Sequence, residues 1–223
     1  MARTATNPTT IGNATKKSDY NKLWDNADLL FGEHGDDGAH SKAMVQLTAN
    51  RLVRANASKI LTASAMEESA AGEVVNASQP AFLARLNTSG AAVTGEGSVY
   101  TVIFDTEVFD QNADFDISTG IFTAPVAGRY RFECAVHLSH LAAAHNFYWL
   151  SILTSNREYA IYDQFAAGAN PFVSHKSMVL SCLADMDAGD TAKVTTYVSG
   201  GTGVVVVDGS GTVYTFFSGS LVC

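Results

Sequence analysis

The sequence predicts an all-β protein, an antiparallel sandwich, and three observations carry that expectation. Arg129–Leu138 (RYRFECAVHL) alternates: Tyr130, Phe132, Cys134, Val136 and Leu138 fall on one face, and Arg129, Arg131, Glu133 and His137 mostly on the other. A period of two is the mark of a half-buried strand. From Pro80 onward, short β-prone apolar runs recur between Gly, Asn, Asp and Pro turn signals, with no convincing helical period among them. Hydrophobic residues make up 47% and charged residues 16% of the chain, which places it with packed proteins rather than disordered ones.

The 223 residues suit one sizeable domain with an appendage, and three segments are expected: 1–41, 42–79 and 80–223. Residues 1–17 are polar and without period, an extended arm. In Ser18–Phe31, the residues Tyr20, Leu23, Trp24, Ala27, Leu30 and Phe31 fall on one face of an amphipathic helix. Ser18 suits its N-cap, Asp19 its first turn and Gly32 its end. So short a helix is marginal alone, and its apolar face is expected to dock either on this chain's own sandwich or on a partner. Gly32–Ser41 is a hydrophilic loop. Asn50–Ser64 predicts a small β-hairpin, with Leu52 and Val53 in one strand and Ile60 and Leu61 in the other; a helix through Lys42–Arg54 is the alternative. A single hairpin cannot bury its apolar face, whereas three copies about one axis can. Glu67–Gln79 is expected to be a polar linker, and Pro80 to open the main domain.

Within residues 80–223, strands are expected near Phe82–Leu86, Tyr100–Phe104, Ile121–Ala124, Tyr130–Leu138, Phe147–Leu153, Glu158–Tyr162, Ser177–Ala184, Ala192–Val198, Val204–Val207 and Val213–Val222. Asp208–Gly211 (DGSG), between two apolar runs, is a hairpin signal. Phe115–Phe132 (FDISTGIFTAPVAGRYRF) is the densest signal in the chain. Ser118–Gly120 makes a tight turn with Gly120 free to take positive φ. Ile121–Ala124 follows as a strand, Pro125 ends it because it has no donor for a ladder, and Val126–Gly128 makes a second corner.

These residues carry a family resemblance. Phe104-Asp105, Phe115-Asp116, Thr119-Gly120, Phe122, Pro125-Val126, Gly128, Tyr130 and Phe132 stand in the order of the C1q-like globular-domain signature. Ala188–Val198 and Tyr214–Val222 resemble two later strands of that domain, a relative of the tumour-necrosis-factor jelly roll. Over residues 80–223 the resemblance implies an antiparallel jelly-roll sandwich that forms a homotrimer. One alternating set of aromatic residues must fill the sandwich. In Thr212–Val222 both faces are apolar, and the resemblance makes the second buried surface a threefold interface. Tyr130, Phe132, Tyr214 and Phe216 are expected in core or interface, which the sequence does not separate.

Site chemistry is sparse. His34, Asp36, Asp37 and His40 are the densest set of possible metal ligands, but their spacing matches no strong zinc signature, and a solvated loop is the first expectation. Asp114, Asp116, Asp185, Asp187 and Asp190 read first as turn residues and second as oxygen ligands for calcium, which some C1q-like domains bind. His137, His140 and His145 are not expected to cluster, since positions 137 and 140 of a strand face opposite sides. Neither a GxSxG nucleophile elbow nor a Walker A loop occurs, and the run from Gly200 (GGTGVVVV) lacks the lysine and helix that hold phosphate. No catalysis and no cofactor are expected. Residues 80–223 hold 6 Lys and Arg against 13 Asp and Glu, which argues against nucleic acid as a partner. No signal peptide is read at the N-terminus, and no apolar run approaches the span of a bilayer. Cys134 and Cys182 are expected to be buried free thiols. The Asn-x-Ser/Thr sequons at Asn13, Asn56, Asn76 and Asn87 are expected to be chance products of a polar β composition.

The hairpin segment resembles strand-turn-strand pieces of trimeric bacteriophage fibre shafts, and the His/Asp/Gly loop resembles ones near the bases of such fibres. The combination implies a phage virion protein, a capsid decoration protein or head fibre gripping the shell through its N-terminal region. The alternative is a receptor-binding tail-fibre tip or adhesin engaging host glycan or protein through loops such as Asn170-Pro171-Phe172 and Gly200–Gly203. A polysaccharide-cleaving enzyme would need a placed pair of carboxylates, and nothing in the sequence places one.

Overall fold

The computed structural model describes residues 51–55, 57, 61–164 and 174–223, which fall into two compact units divided after Asn76. The expected arm, the helix of Ser18–Phe31 and the loop of Gly32–Ser41 lie outside the described residues. Every element among the described residues is a strand, and every pairing is antiparallel.

The first unit holds a small sheet of β1 (Arg51–Ala55), β2 (Leu61–Glu68) and β3 (Val74–Asn76), in that order. Ala55 pairs with Leu61 and Arg51 with Glu67, so the predicted hairpin forms, and residues 51–55 are strand rather than helix. Glu67–Gln79 departs from the expected linker. It carries the end of β2 and all of β3, joined by a turn in which the Ser69 hydroxyl accepts from the amides of Ala71 and Glu73 and Gly72 stands at φ +91°. Its polar side chains conceal the strand because neither face of so thin a sheet is fully buried. Leu52, Val53, Met66, Val74 and Val75 all remain exposed.

The second unit is a sandwich of two six-stranded sheets. One contains β4 (Ala81–Arg85), β6 (Thr106–Asp110), β9 (Gly128–Ser139), β12 (Lys176–Met186), β14 (Val206–Val207) and β15 (Phe216–Leu221). Its order is β12-β9-β15-β4-β6, with β14 also on β9. The other contains β5 (Val99–Thr101), β7 (Phe115–Asp116), β8 (Ile121–Thr123), β10 (Phe147–Thr154), β11 (Glu158–Gln164) and β13 (Thr191–Ser199), in the order β11-β10-β13-β8-β7 with β5 also on β13. The alternation in β9 is the one predicted: Tyr130, Phe132, Cys134, Val136 and Leu138 are buried between the sheets.

Aromatic rings fill the centre. Phe217 lies 5.1 Å from Phe82, 5.7 Å from Phe132, 6.0 Å from Phe115 and 6.1 Å from Phe104, ring centre to ring centre. Phe82 stacks on Phe115 at 4.7 Å and Phe122 at 5.0 Å. Each such side chain buries about 150–250 Å², so these rings dominate the core. They also explain Gly219: a Cβ there would stand 2.6 Å from the Phe82 ring and 2.7 Å from that of Phe132. The densest sequence motif is structural. Asp116 accepts from the Ser118 amide (2.8 Å) and the Thr119 hydroxyl (2.9 Å), Gly120 takes φ +70°, and the Tyr130 hydroxyl donates to the Val126 carbonyl at 2.8 Å.

One strand connection differs from expectation. Val207 pairs with Leu138 and Phe216 with Ala135, so β14 and β15 lie end to end along the same edge of β9. The DGSG segment is therefore an excursion from that edge and not a hairpin. It leaves at Asp208, whose amide donates to the His137 carbonyl at 2.8 Å.

Cys134 is buried, Cys182 half-buried and Cys223 exposed, all as free thiols. Burial pushes the Cys134 thiol up to about 12 and that of Cys182 up to about 11, against an ordinary 9.0. An unfolded chain ionises these thiols above pH 9 while the folded one keeps their protons. The unfolded state then binds fewer protons, so stability falls as pH rises through that window. Urea titrations at pH 8 and pH 10.5 are expected to show a smaller fall for a Cys134→Ala/Cys182→Ala variant than for the parent. An alkylating reagent is expected to modify Cys223 and spare Cys134.

Candidate functional site

Because the sandwich interior is filled, function is sought on its two outer faces. On the β12-β9-β15-β4-β6 sheet, paired residues place Val179 beside Ala135 and Phe216, Ser181 beside Glu133 and Ser218, and Leu183 beside Arg131 and Ser220, all on the outward side. Leu83 and Phe109 continue that face across β4 and β6. Val179 is 57% exposed, Leu183 55%, Tyr214 48% and Phe109 45%. Exposed apolar side chains stand here among Arg131, Glu133, Ser181, Ser218 and Ser220.

The outer face of the second sheet is aromatic. Trp149 pairs across to Tyr162 on one side and Tyr197 on the other. Phe147 stacks on Tyr162 at 6.0 Å, and Trp149 meets Tyr197 at 5.3 Å. Tyr162 is 72% exposed, whereas the Trp149 indole nitrogen is buried without a hydrogen-bond partner.

A third feature joins residues the sequence keeps far apart. His137 projects from the outward face of β9, His175 stands just before β12, and Asp208 opens the excursion after β14. Asp208 Oδ2 lies 3.7 Å from His137 Nε2 and 3.8 Å from His175 Nδ1. The imidazoles stack at 5.5 Å, and Tyr214 lies 5.4 Å from the His137 ring. The Asp208 side chain is held from behind: the hydroxyls of Ser139 (2.7 Å) and Ser89 (3.4 Å) donate to Oδ1. His137 Nδ1 is tied to the Ser177 hydroxyl at 2.7 Å, which turns Nε2 toward the carboxylate. Sequence spacing gave no sign of this cluster, since its members come from one strand and two separate connections.

The other sequence-predicted positions resolve as follows. Tyr130 and Phe132 are fully buried in the core, while Phe216 lies on the outward side of β15 and Tyr214, before that strand, is exposed beside His137. Tyr20, Leu23, Trp24, Ala27, Leu30 and Phe31, the loop residues His34, Asp36, Asp37 and His40, and the segment Asn170-Pro171-Phe172 lie outside the described residues. His137, His140 and His145 do not cluster with one another. His145 is buried, accepting from the Ala142 amide at Nδ1 (2.8 Å) and meeting the Thr202 carbonyl at Nε2 (3.1 Å), the pattern of a single neutral tautomer. Gly200–Gly203 is packed tightly: a Cβ on Gly201 would stand 2.4 Å from the His145 ring. Asp116, Asp187 and Asp190 serve turns, whereas Asp185, expected in a turn, lies within β12 opposite Arg129. Asp190 accepts from the Asp187 amide (2.8 Å) and the Asn156 side chain (2.6 Å). Asp114 keeps one buried oxygen without a hydrogen-bond partner, and its carboxyl is held above the usual range by burial and then by Asp110.

Two antiparallel sheets packed on an aromatic core and a tyrosine-locked corner define a jelly-roll sandwich. The C1q domain model matches residues 81–222, and the chain belongs to that family. Among solved structures it resembles the globular domain of zebrafish complement 1qA, at 20% identity, covering 65% of this chain and 98% of that one with a TM-score of 0.44. Murine APRIL is similar over 65% of this chain and 99% of its own, at 12% identity and a TM-score of 0.44. No curated protein matches the chain.

Proposed function

We propose that the chain is a homotrimeric structural and binding module without catalytic activity. The observation that carries this reading is the set of exposed large hydrophobic side chains on the outward face, Val179, Leu183, Phe109 and Tyr214, with Phe216 beside them. The small sheet of the first unit supports it too, since Leu52, Val53, Met66, Val74 and Val75 are exposed on it and a sheet of so few strands gains from further apolar packing. Threefold association of identical chains satisfies both needs by one symmetry. The setting we propose is a bacteriophage virion, with the trimer displayed as a capsid decoration protein or head fibre and anchored through residues 1–41. Its support is the resemblance of the N-terminal segments to fibre proteins and the amphipathic pattern of Tyr20, Leu23, Trp24, Ala27, Leu30 and Phe31.

A second reading, a receptor-binding tip or adhesin for host glycan or protein, draws on the aromatic row of Phe147, Trp149, Tyr162 and Tyr197. Of these Tyr162 is exposed and the other three are half-buried, and an aromatic row of this kind gives stacking surfaces for sugars and anchors for proteins. Deleting residues 1–41 separates the two. A decoration protein is expected to bind empty capsids saturably and to lose that binding with the deletion. Cell binding that survives the deletion, with no capsid binding by the parent, would sink the first reading and leave the second.

A further inference from the structure

We propose that His137, His175 and Asp208 form a binding site for a borderline divalent cation of the zinc class. Their three donor atoms all lie within 4.8 Å of one another. A zinc ion holds nitrogen and oxygen ligands at about 2.0–2.2 Å, which sets neighbouring ligand atoms about 3.4 Å apart in a tetrahedron. Asp208 Oδ2 stands 3.7 Å from one imidazole nitrogen and 3.8 Å from the other, with all three donors within 4.8 Å, so the carboxylate closes on each ring by a few tenths of an ångström and the two rings draw together by up to about 1.4 Å to complete three corners. These separations are longer than direct hydrogen bonds, which leaves room for a cation between the three groups.

Chemistry of the donor set points the same way. Two imidazoles and one carboxylate suit zinc and its transition-metal neighbours, whereas calcium and magnesium select oxygen. The supporting shell is in place. Ser139 and Ser89 occupy Oδ1 and leave Oδ2 to face the histidines, and Ser177 on Nδ1 of His137 orients its ring. Outer contacts of this sort fix ligand orientation and tautomer in metal sites. The surplus of acidic side chains in residues 80–223 adds a favourable field for a cation. Three protein ligands leave a fourth position open to water or to a group from a partner. The site shares the outward face with the proposed association surface, beside Tyr214, but all three donors come from one chain, so it requires neither the trimer nor any virion role.

The test is calorimetric titration of the full chain with zinc chloride after treatment with a chelator. One ion per chain is expected, and His175→Ala, an exposed position, is expected to abolish that site without lowering the melting temperature. Asp208→Asn keeps the acceptor for Ser139 and is expected to weaken binding by more than tenfold. Ser139→Ala is expected to weaken it roughly 10–100-fold, as loss of an outer contact does. His34→Ala/His40→Ala serves as the control for the N-terminal loop and is expected to leave this site unchanged. No zinc uptake by the parent, or undiminished uptake by His175→Ala, would overturn the proposal.

Discussion

Phe217→Ala is expected to cost the jelly roll about 3–5 kcal/mol, the range for removing a large aromatic side chain from a packed core. Phe217 is fully buried and sits against Phe82, Phe104, Phe115 and Phe132, so its loss opens a cavity lined by four rings that cannot all move inward. Its strand lies between β4 and β9, both already committed to neighbours, which limits collapse from the sides. For a domain of this size each kcal/mol lowers the melting temperature by about 2–4 °C, so thermal unfolding followed by circular dichroism is expected to shift down by roughly 10 °C. Phe216→Ala, one residue earlier and on the outward side, is expected to shift the isolated fold far less. A small effect at Phe217 together with a large one at Phe216 would reverse the assignment of inner and outer faces.

Val179→Glu/Leu183→Glu is expected to convert the assembled protein into monomer while leaving the sandwich folded. Both side chains are more than half exposed in the single chain, so the charges cost little there. In an assembled interface each copy would bury two carboxylates at its apolar centre, and uncompensated or like charges across an interface cost several kcal/mol. Sedimentation equilibrium should read about three times the 23.6 kDa chain mass for the parent and one chain mass for the variant. A parent that sediments as a monomer, or a variant that remains assembled, would remove this face as the association surface.

Where the sequence was legible, local physics and tertiary demand agreed. In β9 one face meets the core and the other does not, so a period of two survives in print; at Asp116 and Gly120 the turn needs those residue types. β6 was missed because the register shifts where it pairs with β4, between Leu83 and Ala84, which sets Val108 and Phe109 side by side in an otherwise polar run. The collinear course of β14 and β15 was missed because DGSG has the composition of a hairpin turn, and only the free edge of β9 decides otherwise. Tyr130 and Tyr214 look alike in alternating apolar runs, and their separation into core and outer face needs the pairing register. The His137–His175–Asp208 cluster had no spacing to read, since it exists only once β9, the approach to β12 and the departure from β14 have come together.

The position of β15 has a consequence for how the protein is made. It is inserted between β4, which opens the sandwich, and the long β9, so Ala81–Arg85 has no neighbour on that side until Phe216–Leu221 has left the ribosome. Closing a contact between strands so distant in sequence carries a large entropic cost before any ladder forms, which slows folding. During that interval Phe82 and Phe132 lack the ring of Phe217 that will cover them, and an open strand edge beside an aromatic surface invites pairing with other nascent chains. The last strand is thus the bolt of the sheet, and the yield of soluble protein depends on how promptly it is drawn.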